Sequence, residues 1–418
     1  MTRQLLTDNV FLTCVPAEKH KTGFFSAQMT VPLSRETASL NALLVNVLSR
    51  GTARCPNLQA LGRELDLLYG ARIGASVRRS GENQIFGFGA SCIDDRYVPT
   101  GESLLEPMAR LMGEILCDPS LVDGRLNPLF VNNERENLVD VIRSIINDKR
   151  AYAAQRLREE MFRDEPYGVS RAGSVETAEA ITTEMLDGHY RSILPQARLE
   201  LFYCGSAPEE KMFDAFRKAL AGLPRGGRLE PAVTTRRPAP EKYRLVTEEM
   251  DVTQGKLCIG FRSSSEDVPA SIMMNTMYGG GSNSKLFLNV REKLSLCYYA
   301  GSSYDRRKGV VLVSSGIAPK NYDPAVEEIM AQLDALRRGE WEDWEFTGAK
   351  SALRNDLRTI DDSPTAQEDF IISQAAAGST ETPQEMAAAI EAVTPERVIA
   401  AAQAVRPDTI YFLKGKEA

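Results

Sequence analysis

The residues best suited to chemistry stand in one stretch of the second half, where three glycines lead into a helix-patterned segment. That segment carries Arg291 beside Glu292, and Tyr298 follows seven residues after the arginine. Glycines permit a tight turn or a close backbone approach, so such a stretch could in principle cradle a phosphate. The sequence from Gly279 through Gly280 and Gly281 to Ser282 is not followed by Gly-Lys-Ser/Thr, which argues against a phosphate-binding loop.

Each of these residues also has an ordinary structural explanation. Arg291 could pair with a neighbouring carboxylate on a solvated helix face, and Tyr298 could be a half-buried strand aromatic. The glycines could simply end a helix. The residue types and their spacing leave the structural and the functional interpretation open.

The sequence does not indicate a metal site built from histidines or cysteines. The only two histidines, His20 and His189, lie 169 positions apart, so they cannot form a pair at helical spacing. Seven cysteines are scattered along the chain and none stands in a Cys-x-x-Cys pair. This pattern favours buried, apolar thiols over a disulfide framework or a thiolate metal site.

Length and charge narrow the class of protein. A chain of 418 residues with 43% hydrophobic content is long enough for two domains of roughly 200 residues each. The net charge is -7 and no run of five like charges occurs, which argues against nucleic acid or an anionic membrane as partner. No apolar stretch approaches the roughly 18 residues of a membrane span, and no signal-peptide pattern opens the chain. We therefore expect a cytoplasmic protein.

The elements that must position the site follow a helix-then-hairpin order. In the first half, a strand pattern over residues 23–31 precedes an apolar helix at 40–48, and a strand hairpin follows at 72–78 and 84–92. Further helices are predicted at 104–116 and, as one long helix, at 131–156. This order predicts an α+β fold, with a mostly antiparallel sheet and helices packed on one face.

The same plan recurs in the second half. With an offset of 228 residues, Gly51 falls on Gly279 and Arg63-Glu64 falls on Arg291-Glu292. We therefore predict two homologous domains, at residues 1–223 and 243–418, joined by a proline- and charge-rich linker at 224–242.

Two smaller expectations concern the first half. Asp164 and Glu165 precede a proline and are interpreted as a surface turn. The strand over residues 24–31 is predicted to be part of the core, with the alternative that it is a sheet edge that receives a peptide by strand addition.

The repeat, the linker and the stretch from Tyr278 to Tyr298 resemble the pitrilysin/insulinase family of metallopeptidases, specifically its small two-domain, processing-peptidase-like branch. The segment Phe162-Arg163-Asp164-Glu165-Pro166-Tyr167-Gly168 also resembles a family segment. The resemblance covers nearly the whole chain. It implies a zinc site in the first domain, formed by an HxxEH helix and a glutamate on a later helix, with the glutamate of HxxEH as general base.

Every residue that the resemblance would place at this zinc site is replaced. Ala42 and Asn46 stand at the two histidine positions, Val45 stands at the position of the base, and Val141 stands at the third ligand position. The family usually has glycine where Ser295 stands, which leaves the turn before Tyr298 undefined. The resemblance thus predicts no zinc on this chain and no peptidase activity by this chain alone.

What remains of the resemblance lies in the second domain. In relatives, an arginine and a tyrosine at the positions of Arg291 and Tyr298 reach the zinc site and hold the peptide, and a glycine-rich loop lies at the mouth of the chamber. We therefore expect a non-catalytic subunit that binds peptide through Arg291 and Tyr298 and pairs with a zinc-bearing HxxEH homologue. The alternative is an inactive scaffold, homodimeric or monomeric, that binds a peptide or protein without cutting it.

Overall fold

The chain folds into two compact units, which a computed structural model describes over residues 1–415. The first unit comprises Met1–Arg143, Val169–Val233 and Pro364–Gly378. The second comprises Ser144–Gly168, Thr234–Ser363 and the described residues from Ser379 onward. Within residues 1–415, no helix is both long and apolar enough to cross a lipid bilayer.

The first unit is organised around a six-stranded sheet with the strand order β1-β2-β8-β3-β5-β4. All neighbouring strands are antiparallel except β2 and β8, which are parallel. A separate two-stranded ribbon is formed by β6 and β7. The strands are β1 Thr2–Thr7, β2 Val10–Pro16, β3 Thr22–Pro32, β4 Arg72–Ser80, β5 Asn83–Ile93, β6 Leu121–Val122, β7 Arg125–Leu126 and β8 Arg198–Gly205.

The helices of this first sequence half are α1 Ala38–Leu48, α2 Leu58–Leu67, α3 Leu105–Cys117, α4 Pro128–Ser144, α5 Lys149–Met161, α6 Val175–Glu179, α7 Thr183–Gln196 and α8 Glu209–Ala219. Helix α1 is buried on almost every side, because eight of its residues are apolar and pack between the sheet and its neighbouring helices. It is the helix on which the resemblance would place a zinc site.

The second unit contains a five-stranded sheet with the order β11-β12-β10-β13-β9, in which only β13 and β9 are parallel. Its strands are β9 Arg244–Met250, β10 Gly255–Ser263, β11 Cys297–Asp305, β12 Val310–Ile317 and β13 Val405–Gly415. The remaining helices of the chain are α9 Val268–Gly279, a π-helix at Leu286–Lys293, α10 Tyr322–Arg338, α11 Asp343–Ile360, α12 Pro364–Ala376, α13 Pro383–Glu391 and α14 Pro395–Gln403.

The two sheets have the same topology, and this confirms the predicted repeat of an α+β domain. The order β4-β5-β3-β8-β2 of the first unit corresponds strand by strand to β11-β12-β10-β13-β9 of the second. Each sheet has one parallel pair, at the same place. In both units the first strand of the hairpin, β4 or β11, lies at the edge of the sheet.

Each unit takes one helix from the other half of the sequence. Successive residues of a strand point to opposite faces of the sheet. In β8, Leu201 belongs to the main core on one face, and Phe202 lies on the opposite face. Helix α12 packs on that opposite face through Ile372. In the second unit, helix α5 covers the equivalent face, with Leu157 packed against Cys258. The compact units therefore differ from the predicted sequence halves by this exchange.

The predicted long helix at residues 131–156 is wrong, because the chain breaks there. Helix α4 ends at Ser144 and a short 3₁₀ turn follows at Ile145–Asn147. Asp148 then caps α5, accepting hydrogen bonds from the backbone amides of Arg150 and Ala151 at 3.0 Å each. The break coincides with the passage of the chain from the first unit to the second.

Strand β3 is central rather than an edge, since it pairs with both β5 and β8. A peptide cannot add to it, and the alternative of strand addition at residues 24–31 is excluded. The linker expected at 224–242 runs without a helix or an extended strand, apart from one bridge between Ala197 and Leu229.

Candidate functional site

The segment that carries Arg291 is a π-helix rather than an ordinary α-helix. It spans Leu286–Lys293, and the amide of Leu294 donates across five residues to the carbonyl of Asn289 at 3.0 Å. π-helices are rare and occur frequently at functional sites, because one extra residue per turn redirects a side chain. Here the redirected turn includes Arg291.

The turn after the π-helix is strained, and the strain lies at Ser295, where the family usually has glycine. Ser295 has a φ of 50°, the left-handed conformation that glycine adopts most easily. The serine therefore stands at a position where glycine would be less strained. The amide of Leu296 donates back to the carbonyl of Val290 at 3.0 Å, which closes the turn.

Tyr298 stands at a bulge in the edge strand β11. Cys297 pairs with Ile317 and Tyr299 pairs with Gly316, so Tyr298 has no partner of its own on β12. A bulge bends the strand and re-aims a side chain. The Tyr298 side chain is 68% exposed, which contradicts the half-buried alternative.

Arg291 makes three contacts, one of which ties it to the backbone of Tyr298. Its Nε donates to the carbonyl oxygen of Tyr298 at 3.0 Å, and its Nη1 lies 3.0 Å from a carboxylate oxygen of Glu292. Its guanidinium also sits 4.6 Å from the ring centre of Phe287, a cation–π contact. The structure thus brings the predicted pair together. Phe287 was missed, although its spacing of four residues from Arg291 is the signal for such a contact on a helix.

The glycine-rich stretch ends a helix, and two of its glycines lie where a side chain would clash with the backbone. Gly279 is the last residue of α9 and is buried, and a methyl group added there would lie 2.6 Å from the Ser302 amide nitrogen. Gly280 caps the helix, and a methyl group there would lie 2.7 Å from the Cα of Thr276. Gly281 has open space around it, and Ser282 is exposed.

The four residues at the expected zinc-site positions cannot hold a metal. Ala42 and Val45 are fully buried in the core of the first unit, and Asn46 donates its side-chain amide to the Ala42 carbonyl at 3.1 Å. Val141 is 63% exposed on α4. An alanine, two valines and an amide supply neither imidazole nor carboxylate, so zinc does not fit here. Among residues 1–415, no cluster of three or more His, Cys, Asp or Glu side chains is arranged to hold a metal ion.

A buried polar network that the sequence did not indicate lies next to these positions. His189 Nε2 is 2.6 Å from Oδ1 of Asn41, and Nδ2 of Asn41 donates to Gln84 at 2.8 Å. Gln84 in turn donates to the backbone carbonyls of Ala38 and Arg171. Because Oδ1 only accepts, His189 carries its proton on Nε2 in this arrangement. Burial lowers the pKa of His189 to about 4, so the ring is neutral.

The interpretation of Glu165 as part of a surface turn is wrong. Glu165 is 6% exposed, and its carboxylate binds Arg262 at 2.7 Å and Lys308 at 2.6 Å. Arg262 also binds Asp408 at 2.6 Å. Although burial raises the pKa of Glu165, the hydrogen bonds and charges of Arg262 and Lys308 hold it below its ordinary value. Within its own unit this cluster fastens the end of α5 to the sheet.

Comparison with known proteins agrees with this architecture. A family model described as the peptidase M16 inactive domain matches residues 180–353. A protein of Bacillus subtilis (strain 168), described as probable inactive metalloprotease YmfF, is 34% identical over 409 residues, which cover 97% of this chain and 95% of that protein.

Solved structures show the same fold over the whole length. A conserved protein from Enterococcus faecalis V583 superposes with a TM-score of 0.90 at 27% identity, covering 99% of this chain and 98% of that one. A peptidase M16 inactive domain from Pseudomonas fluorescens superposes with a TM-score of 0.80 at 16% identity, covering 100% and 98%.

The fold and the site define a two-domain, metallopeptidase-like protein whose metal-binding positions are replaced by residues that cannot bind metal. Its sequence relationships are more specific. The chain belongs to the M16, or pitrilysin/insulinase, family and is one of its inactive metalloprotease homologues.

Proposed function

We propose that this chain is the non-catalytic subunit of a heterodimeric zinc peptidase, in which an HxxEH-bearing homologue supplies the metal and the base. Arg291 and Tyr298 of this chain bind the backbone of an extended peptide substrate. The zinc belongs to the partner subunit, and the complex works in the cytoplasm.

The observation that carries this proposal is the concentration of backbone irregularities around two polar side chains. Between residues 286 and 298 lie a π-helix, a left-handed serine and a β-bulge. Each one costs free energy relative to regular structure, and such features cluster at binding and catalytic sites. A helix and a strand that served only to pack in the core would not require three such irregularities within thirteen residues.

The chemistry of the pair suits a peptide backbone. The guanidinium Nη2 of Arg291 has no partner among residues 1–415 and can donate to a substrate carbonyl. The exposed phenol of Tyr298 can donate to a carbonyl oxygen or to an oxyanion that develops during cleavage. Neither group can activate water, which is why the proposal needs a partner.

A second candidate is a scaffold that binds a peptide without cutting it, as a homodimer or a monomer. The apolar residues that fill the former metal positions favour it, because Ala42 and Val45 now contribute to the core. In this case Arg291 and Tyr298 bind the peptide in the absence of any partner.

The experiment is to mix the full-length chain with an HxxEH homologue from the same organism and measure cleavage of quenched peptides. We expect the mixture to cleave faster than the homologue alone. Tyr298→Phe should lower kcat/KM of the mixture by about 100-fold, the typical effect of losing one oxyanion donor. Arg291→Lys should be nearly as harmful as Arg291→Ala, because an ammonium group cannot replace the planar fork.

Matched controls come from exposed residues of the same types, Arg338→Ala and Tyr97→Phe, which should leave the stimulation unchanged. A mixture no more active than the homologue alone would overturn the heterodimer. If the chain alone then binds the peptides, with Arg291 and Tyr298 required, the scaffold is supported instead.

A further inference from the structure

The second unit contains a cavity of about 550 Å³ that has no role in the proposed peptide site. It lies between residues 237–243, at the end of the linker, and the ends of β10 and β13. Arg237, Arg262 and Arg406 line it, with Glu241 as the one acidic lining residue. Its volume lies within the usual range of small-molecule sites.

Arg262 forms the floor of this cavity and is fixed in place. It is 7% exposed, and its Nε and Nη2 are held by Asp408 and Glu165 at 2.6 and 2.7 Å. Its Nη1 has no hydrogen-bond partner among residues 1–415. This nitrogen is not completely buried, so it remains accessible. A guanidinium held on one side and open on the other is a preorganised donor.

Arg237 and Arg406 form the rim. Arg237 is 3.7 Å from the Glu165 carboxylate, too far for a hydrogen bond, and its side chain is 53% exposed. Arg406 donates through Nη1 to the backbone carbonyl of Val405 at 2.9 Å, and its Nη2 has no partner within residues 1–415. Two guanidinium groups with open donors thus face the space above Arg262.

The charge balance leaves this region positive. The count includes the charged lining residues and the groups that form ion pairs with them. Four of these groups are cations (Arg237, Arg262, Arg406 and Lys308) and three are carboxylates (Glu165, Asp408 and Glu241), which gives a net charge of +1. An anion would balance this charge.

The walls of the cavity are suited to an organic group. Pro238, Pro240 and Pro407 supply apolar surface, and Ser264 adds a hydroxyl. A bare phosphate or carboxylate would fill only a small part of the volume. The shape therefore favours an anionic head group attached to a small apolar body.

We propose that this cavity is a binding site for a small organic anion, whose phosphate or carboxylate group is held by Arg237, Arg262 and Arg406. The proposal is independent of the proposed peptidase role, since neither Arg291 nor Tyr298 lines the cavity. Bound ligand would connect the end of the linker to β10 and β13.

The test is isothermal titration of the full-length chain with inorganic phosphate, phenyl phosphate and benzoate. We expect saturable binding, tighter for phenyl phosphate than for inorganic phosphate because the ring covers the proline wall. The ratio of phenyl phosphate to benzoate affinity tells which head group the site prefers. The double variant Arg237→Gln/Arg406→Gln should weaken binding by about tenfold or more, the effect of losing charge-assisted hydrogen bonds.

Arg338→Gln provides the control, since Arg338 is an exposed arginine of the same unit outside the cavity. It should bind all three probes as the unchanged chain does. Absence of saturable binding at millimolar probe concentrations would overturn the proposal. So would equal weakening by the rim variant and the control, since that would mean general attraction of anions to the surface.

Discussion

The side chain of Ser295 makes the left-handed backbone conformation of this residue unfavourable. Its φ of 50° places Cβ in a crowded position that glycine avoids. We expect Ser295→Gly to raise the free energy of unfolding by about 1 kcal/mol, measured by urea denaturation. The control is Ser303→Gly in the extended strand β11, which should lower stability by roughly 0.5–1 kcal/mol. Equal destabilisation by the two changes would show that the turn is not strained.

His189 should make the stability of the first unit depend on pH. Its pKa is about 4 in the fold and 6.5 in the unfolded chain, so the unfolded state binds the proton first as the pH falls. The contribution of the neutral ring is present above pH 6.5 and is lost between pH 6.5 and 4. Lowering the pH from 7 to 5 should thereby cost about 2 kcal/mol of unfolding free energy.

The variant that isolates this effect is His189→Gln, because a glutamine amide can still donate to Asn41 but does not titrate in this range. Its unfolding free energy should fall less between pH 7 and pH 5 than that of the unchanged chain. Parallel pH curves for the two proteins would mean that His189 is not kept neutral by the fold.

At the scale of elements, the Glu165 cluster is what fastens the end of α5 to β10, β13 and the β11–β12 turn within the second unit. Glu165→Gln should lower the free energy of unfolding by roughly 3–5 kcal/mol, because Arg262 and Lys308 lose their shared carboxylate while they remain buried. The depressed pKa of Glu165 means that its contribution is present above its ordinary pKa of 4.5 and is lost as the pH falls further.

Glu159→Gln on the same helix is the comparison for this change. The Glu159 side chain is 31% exposed and pairs with Arg156 three residues away, so its loss should cost less than about 1 kcal/mol. Chemical denaturation monitored by circular dichroism measures both. A Glu165→Gln protein as stable as Glu159→Gln would contradict the structural role of the cluster.

The elements themselves were largely predictable, because each one has a local signal. The apolar run of α1, the hairpin β4–β5 and their recurrence in the second half follow from hydrophobic periodicity. The break at Asp148 was missed, because α4 and α5 both continue a helical pattern and only one capping residue separates them.

In the site, Arg291 and Tyr298 were visible as residue types. The π-helix and the bulge were not, since they depend on how the backbone fits the rest of the unit.

At the scale of the whole molecule, the chain passes between the two compact units five times. The exchange of α5 and α12 was not predictable, because a helical pattern does not specify which sheet it will cover. In the first unit α12 covers Phe202 and Ile85 and places Glu368 2.9 Å from Ser26. A fragment ending in the linker would lack this cover.

We therefore expect residues 1–233 expressed alone to be unstable, since they lose α12 and expose the apolar face of β8. When residues 1–233 and 234–418 are expressed together, they should copurify, because each contains a helix that belongs to the other's sheet. Affinity copurification and binding of a hydrophobic dye measure the two outcomes. A monomeric 1–233 fragment with cooperative unfolding and no dye binding would show that α12 is dispensable.

The π-helix at Leu286–Lys293 also makes the position of Arg291 sensitive to the length of the segment. A π-turn is an α-turn that has accommodated one additional residue. Deleting a single residue from the segment would convert part of it to an α-helix and change the direction in which the side chains of the former π-turn leave the helix axis. A one-residue deletion could therefore abolish the pair with Tyr298 while both residues remain in the sequence.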